Sequence, residues 1–170
     1  MSHDSTGKNK RVERVIRSGC QGGEGDDTIT NNAFISGTIG VETTGIATIE
    51  LGEGTNSLTN TGTIFADILG GSGDDTIDNS GTINGDLELG AGNNTVTEDS
   101  PSTINGNITA LGGNDTITVM NGSIIGDIDL GDGTNTLSND GTVRGDYSGG
   151  AGVDTITNNG ILSGFAEGAP

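Results

Sequence analysis

The 170-residue chain has no tryptophan, one tyrosine, three phenylalanines, two prolines and a single cysteine, Cys20. With apolar residues at 29%, it cannot fill a thick two-layer core, which excludes ordinary globular packing. A lone cysteine excludes an internal disulfide and a cysteine metal cluster. The only histidine, His3, lies far from Cys20 in a polar leader, so neither offers a nucleophile–base pair, and no enzyme is expected. No apolar run is long enough to cross a bilayer. Residues 1–21 also lack the 7–15-residue apolar stretch of a signal peptide, because charge interrupts Val12, Val15 and Ile16. Export, if it occurs, is expected to need no amino-terminal signal.

Positive charge is scarce and misplaced. Five of the six basic residues are Lys8, Lys10, Arg11, Arg14 and Arg17, whereas the chain from Gly22 onward holds 22 carboxylates and one cation, Arg144. A body this acidic repels nucleic acid and anionic lipid, so neither is expected as a partner and no membrane insertion is expected. Bound cations would relieve its self-repulsion. The domain reading is a basic flexible leader or cap over residues 1–21 and one repeat domain over 22–170.

What the chain has in abundance is glycine, 33 residues, set at a fixed period. Residues 70–88, GGSGDDTIDNSGTINGDLE, align without gaps to 130–148, LGDGTNTLSNDGTVRGDYS. The pattern starts at Gly22, Leu51, Gly70, Leu89, about Ala110, Leu130 and Gly149. Its sixth position reads Asp27, Asn56, Asp75, Asn94, Asp115, Asn135 and Asp154, separated by 29, 19, 19, 21, 20 and 19 residues. Short insertions near Pro101 and Met120 account for the 21 and 20, and a loop of about ten residues within Gly37–Gly45 accounts for the 29. Aliphatics recur at position eight (Ile29, Leu58, Ile77, Val96, Ile117, Leu137, Ile156), position fourteen (Ile64, Ile83, Ile104) and position eighteen (Ile68, Leu87, Ile108). They alternate with polar residues, as short strands with one buried face do. Two or three such strands per period, joined by glycine turns, predict an all-β parallel β-helix or β-solenoid of about seven 19-residue coils. Glycine at this density excludes helix.

Three coils open with GGxGxDxUx, where U is a large aliphatic: residues 22–30, 70–78 and 149–157. This resembles the repeats-in-toxin (RTX) nonapeptide, and the single motif per coil resembles the 19-residue RTX-like repeats of a bacterial ice-binding adhesin. Leucine in place of the first glycine in three coils departs from that pattern. The chain is also similar to autotransporter-like repeats, which need no calcium. The RTX resemblance implies one row of calcium ions along an edge, with Asp27, Asn56, Asp75, Asn94, Asp115, Asn135 and Asp154 as the ligand column. Calcium takes six to eight oxygen ligands from carboxylates and carbonyls in flexible loops, which suits this column. A bare Asp/Asn turn ladder explains the same residues, since both favour turns.

Positions seven and nine flank the aliphatic of position eight and must face outward. They are Thr28/Thr30, Ser57/Thr59, Thr76/Asp78, Thr95/Thr97, Thr116/Thr118, Thr136/Ser138 and Thr155/Thr157, so thirteen of fourteen are Thr or Ser. Flat Thr-x-Thr arrays of this kind resemble the ice-binding faces of β-helical antifreeze proteins. Threonine also favours exposed strands for its own sake. No amphipathic capping helix is visible at either terminus, which leaves end-to-end association with another copy open. The reading as a whole is a secreted or cell-surface, non-catalytic structural solenoid rigidified by calcium, serving as adhesin segment, spacer or filament subunit. The alternative is an ice-binding protein.

Overall fold

The structure, a computed structural model, describes residues 9–12, 20–36 and 48–167. The described chain is a parallel β-solenoid of three sheets with eight, seven and eight strands. Each coil contributes one strand to each sheet, as Thr76–Asn79, Thr82–Asn84 and Leu87–Ala91 do in the third. Seven such triplets follow one another. The last is only partly covered, so about six turns are packed on both sides.

Register carries the 19-residue period into space. Thr95 pairs with Thr76 and Val96 with Ile77, while Leu87 pairs with Ile68. The ten extra residues fall between 36 and 48, because Ser36 still pairs 29 residues ahead with Phe65 whereas Thr48 pairs 19 ahead with Asp67. The loop expected within Gly37–Gly45 thus lies outside the described residues. The two smaller insertions both sit in the turn between the first and second sheets. Glu98 pairs with Asn79, 19 residues back, and Thr103 with Thr82, 21 back, which puts two extra residues in the turn around Pro101. Val119 pairs with Glu98 at 21 and Ser123 with Thr103 at 20, so the following turn, at Met120, is one residue shorter than its predecessor.

The first and second sheets each turn one column of aliphatics inward, and the third turns two, with Leu51, Leu89 and Leu130 in the second of them. Ile77, Ile83 and Leu87 are fully buried, as are their counterparts in neighbouring coils. Aliphatics of similar size stacked about 4.8 Å apart fill the interior, with Tyr147 the one buried aromatic among the described residues. Glycines close the corner after the third sheet. Gly71 and Gly73 hold φ of 103° and 111°, a region open to few other residues. A Cβ on Gly71 would also stand 2.1 Å from the Gly52 carbonyl oxygen of the preceding coil.

The basic leader is partly drawn into the stack. Asn9–Val12 pairs with Thr28–Asn31, one period ahead, and Cys20–Glu24 begins the third sheet, with Cys20 in register with Ile49. Lys10 therefore occupies the register position of the aliphatic column, opposite Ile29. At the other end the last coil is thinly covered: Ile161 and Phe165 are exposed, and Ile156 and Leu162 are only partly buried.

Candidate metal site in the glycine turns

The position-six residues stack on one edge of the solenoid, under the glycine corner. Asp27, Asn56, Asp75, Asn94, Asp115 and Asn135 are all buried. Their first oxygens form a continuous ladder. The Asp27 N–H donates to Asn56 Oδ1 at 2.9 Å and the Asn56 N–H to Asp75 Oδ1 at 3.0 Å. Asp75, Asn94, Asp115 and Asn135 continue it to Asp154 at 2.8–3.0 Å. Each residue thereby satisfies a buried backbone donor of the coil before it.

The second side-chain atom divides the column in two. In the asparagine coils it is a donor, and glycine carbonyls receive it: Asn56 Nδ2 reaches Gly54 O at 3.3 Å, Asn94 Nδ2 reaches Gly92 O at 3.3 Å, and Asn135 Nδ2 reaches Gly149 O at 2.9 Å. In the aspartate coils it is an acceptor and finds no partner. Oδ2 of Asp27, Asp75, Asp115 and Asp154 is buried and unpaired. Burial raises the Asp75 and Asp115 carboxyls above the usual carboxylate range, against hydrogen bonds from the Asn56 and Asn94 backbone and side chains, which lower them. Tyr147, whose buried hydroxyl is also unpaired, is pushed up to about 12 by burial and then by the charges of Asp154 and Asp115.

Position one follows position six. The aspartates of coils 22, 70 and 149 each come with glycine five residues earlier, and all three asparagines come with leucine. The geometry explains the pairing. A Cβ on Gly70 would lie 2.6 Å from Asp75 Oδ2 and 2.2 Å from Leu89 O, and one on Gly22 would lie 2.6 Å from Asp27 Oδ2 and 1.8 Å from Leu51 O. The orphan oxygen and the carbonyl of the next coil therefore crowd the same glycine. Asp115 comes with Ala110 instead, at the point where the third sheet shifts register between Gly90 and Ala91.

A buried carboxylate oxygen with no hydrogen-bond donor requires a proton or a cation. A carboxylate oxygen beside glycine-turn carbonyls is the hard-oxygen donor set that calcium takes, so the aspartates fit such an ion. The asparagines already commit Oδ1 to a backbone N–H and Nδ2 to a carbonyl. Among the described residues no three His, Cys, Asp or Glu side chains converge on one point, so backbone carbonyls would complete any shell.

The sequence-predicted threonine face is present as an unbroken sheet. Thr28, Ser57, Thr76, Thr95, Thr116, Thr136 and Thr155 are in register, as are Thr30, Thr59, Asp78, Thr97, Thr118, Ser138 and Thr157. In coils one to six they flank a buried position-eight residue, and those between coils two and six are half-buried apart from the exposed Asp78.

A second polar column escaped the sequence reading. Position ten, the inward phase of the same strand, carries Asn31, Asn60, Asn79, Glu98, Val119, Asn139 and Asn158. Asn31 Nδ2 donates to Asn60 Oδ1 at 2.8 Å, Asn60 to Asn79 at 2.7 Å, and Asn79 to Glu98 Oε2 at 2.8 Å. Beyond Val119 the column resumes with Asn139 Nδ2 to Asn158 Oδ1 at 2.7 Å. The Asn recurring at position ten in five of the seven coils was the available signal. No family model, curated protein or solved structure matches the chain.

Proposed function

We propose that the chain is a non-catalytic, secreted or cell-surface structural solenoid, an adhesin segment, spacer or filament subunit, whose aspartate turns bind calcium. The observation that carries this reading is the set of four buried, unpaired carboxylate oxygens, one in every second coil of the position-six column. A bound divalent ion would neutralise each of them and tie consecutive glycine corners together. It would also offset the self-repulsion of a chain with net charge −18. Calcium is plentiful outside cells, which fits a secreted or surface setting. Asp27, Asp75, Asp115 and Asp154 supply the charge. Asn56, Asn94 and Asn135 hold the turn geometry between them.

Thermal unfolding followed by circular dichroism, in millimolar calcium and in chelator, tests the reading. A ligand at 100 times its Kd stabilises the folded state by about 2.7 kcal/mol per site, so the melting temperature should rise clearly with calcium. That rise should shrink by about half in the Asp75→Ala/Asp154→Ala double variant, which keeps two of the four aspartates. Identical melts with and without calcium would leave a self-sufficient hydrogen-bonded stack.

A second reading, ice binding, is favoured by one observation: the Thr-bearing sheet runs through all seven coils without a register shift. Its two rows are spaced about 4.8 Å along the axis and about 6.7 Å across it. Partitioning into growing ice, lost on Thr95→Tyr or Thr116→Tyr, is the outcome this reading requires.

A further inference from the structure

The position-ten column changes chemistry at one place. Asparagines along it pass one N–H to the next side chain and reach a strand carbonyl as well: Asn60 to Thr82 O at 3.3 Å, Asn79 to Thr103 O at 3.4 Å, Asn139 to Ile161 O at 2.9 Å. Glu98 has no N–H to pass on. Its Oε2 accepts from Asn79, and its register partner in the next coil is the apolar Val119. Its Oε1 is buried without a partner, and the residue as a whole is 0% exposed.

No described residue around Glu98 carries a positive charge to set against a carboxylate. The preceding strand offers Asn79 on the buried side and Asp78 on the exposed side. The strand that follows, Thr116–Val119, has no titratable group. The turn after Glu98 brings Ser102, whose hydroxyl donates to the Asp99 carbonyl, and Asp99 itself, a second acid. Gly122 closes the space: a Cβ there would stand 2.7 Å from Glu98 Cγ and 2.8 Å from Ser102 Oγ. Every charged neighbour is thus an acid.

We propose that Glu98 is a proton-operated latch in the asparagine column. Its carboxyl is held neutral inside the stack, where a carboxylate would be buried without a counter-charge, and loss of that proton loosens the joint between the 99–102 turn and the stack. Burial raises the carboxyl from 4.5 to about 7, and the Asp99 charge adds to it. The Asn79 N–H on Oε2, and the polar Ser102 hydroxyl and Ser123 backbone nearby, oppose the rise. The folded-state value lies above the unfolded one, so the stabilisation is complete below 4.5, declines as pH rises towards 7, and is gone above it. The latch involves none of the position-six aspartates and stands whether or not they bind calcium.

Urea unfolding of the wild type and of Glu98→Gln, in chelator from pH 4.5 to 8.5, tests this. Glutamine keeps the shape and the acceptor for Asn79 and cannot ionise. The advantage of the variant should grow with pH and level off above 7, by a factor on the order of a hundred in the folding equilibrium constant. A difference that does not change with pH would overturn the proposal. Should Glu98→Gln fail to fold, the carboxyl carbon of Glu98 in the wild type decides by NMR. Titration near 7 supports the latch, and titration near 4.5 overturns it.

Discussion

The two polar columns inside this solenoid are built from similar residues and behave differently. At position ten each asparagine both gives and receives, so the Asn31–Asn60–Asn79 run is satisfied link by link through bonds of 2.7–2.8 Å. At position six, asparagine alternates with aspartate, and the aspartates leave an acceptor facing a carbonyl. The difference is one N–H2 group. A stack that repeats a buried amide needs no further partner, whereas one that repeats a buried acid requires a proton or a cation at each occurrence. The alternation suggests why the acid recurs only in every second coil: neighbouring carboxylates in one column would repel across about 4.8 Å.

Substitutions can break this contrast or sharpen it. The largest effect is expected from Asn79→Ala, which strips partners from Asn60 Nδ2, Glu98 Oε2 and the Gly81 N–H at once. A loss on the order of 3 kcal/mol in urea unfolding is expected, since each orphaned buried group costs about 1–3 kcal/mol. A loss below about 1 kcal/mol would show that the amide column is dispensable. Next is Gly70→Ala, whose Cβ meets Leu89 O and Asp75 Oδ2. Overpacking of this kind costs about 1–3 kcal/mol, and the melting temperature should fall with it. A smaller effect of opposite sign is expected for Asp75→Asn in chelator: the new amide fills the orphan position and stabilises by about 1 kcal/mol, while the calcium response weakens. Asn60→Asp, the reverse change in the other column, should destabilise. The smallest effect belongs to Thr95→Tyr on the outer face, where stability should stay within about 0.5 kcal/mol and only an ice-partitioning assay would register the change.

Much of the architecture was legible because the period is written in residues of unmistakable type. The stacked Ile77, Val96 and Ile117 fix the buried face, and the sixth-position Asp/Asn residues fix the turn edge. The insertions at Pro101 and Met120 could be placed from spacing alone. Two features hid. Lys10 stands one period before Ile29, in the aliphatic column, so charge masked the first strand. Asn79 and its neighbours point inward on the same alternation as Ile77, but their polarity made them look like surface. Only the register showed that each amide has another amide to bind. The link between Gly70 and Asp75 was visible as a covariation within the chain. Its cause, an orphan oxygen crowding the glycine, required atomic positions.

The most direct test of the central claim is to count calcium ions bound per chain by equilibrium dialysis at physiological ionic strength. The account predicts saturable binding of about four ions, one for each unpaired aspartate oxygen, with one site lost in Asp75→Asn and none lost in Asn94→Ser. No saturable binding, or binding that survives removal of the aspartates, would contradict it.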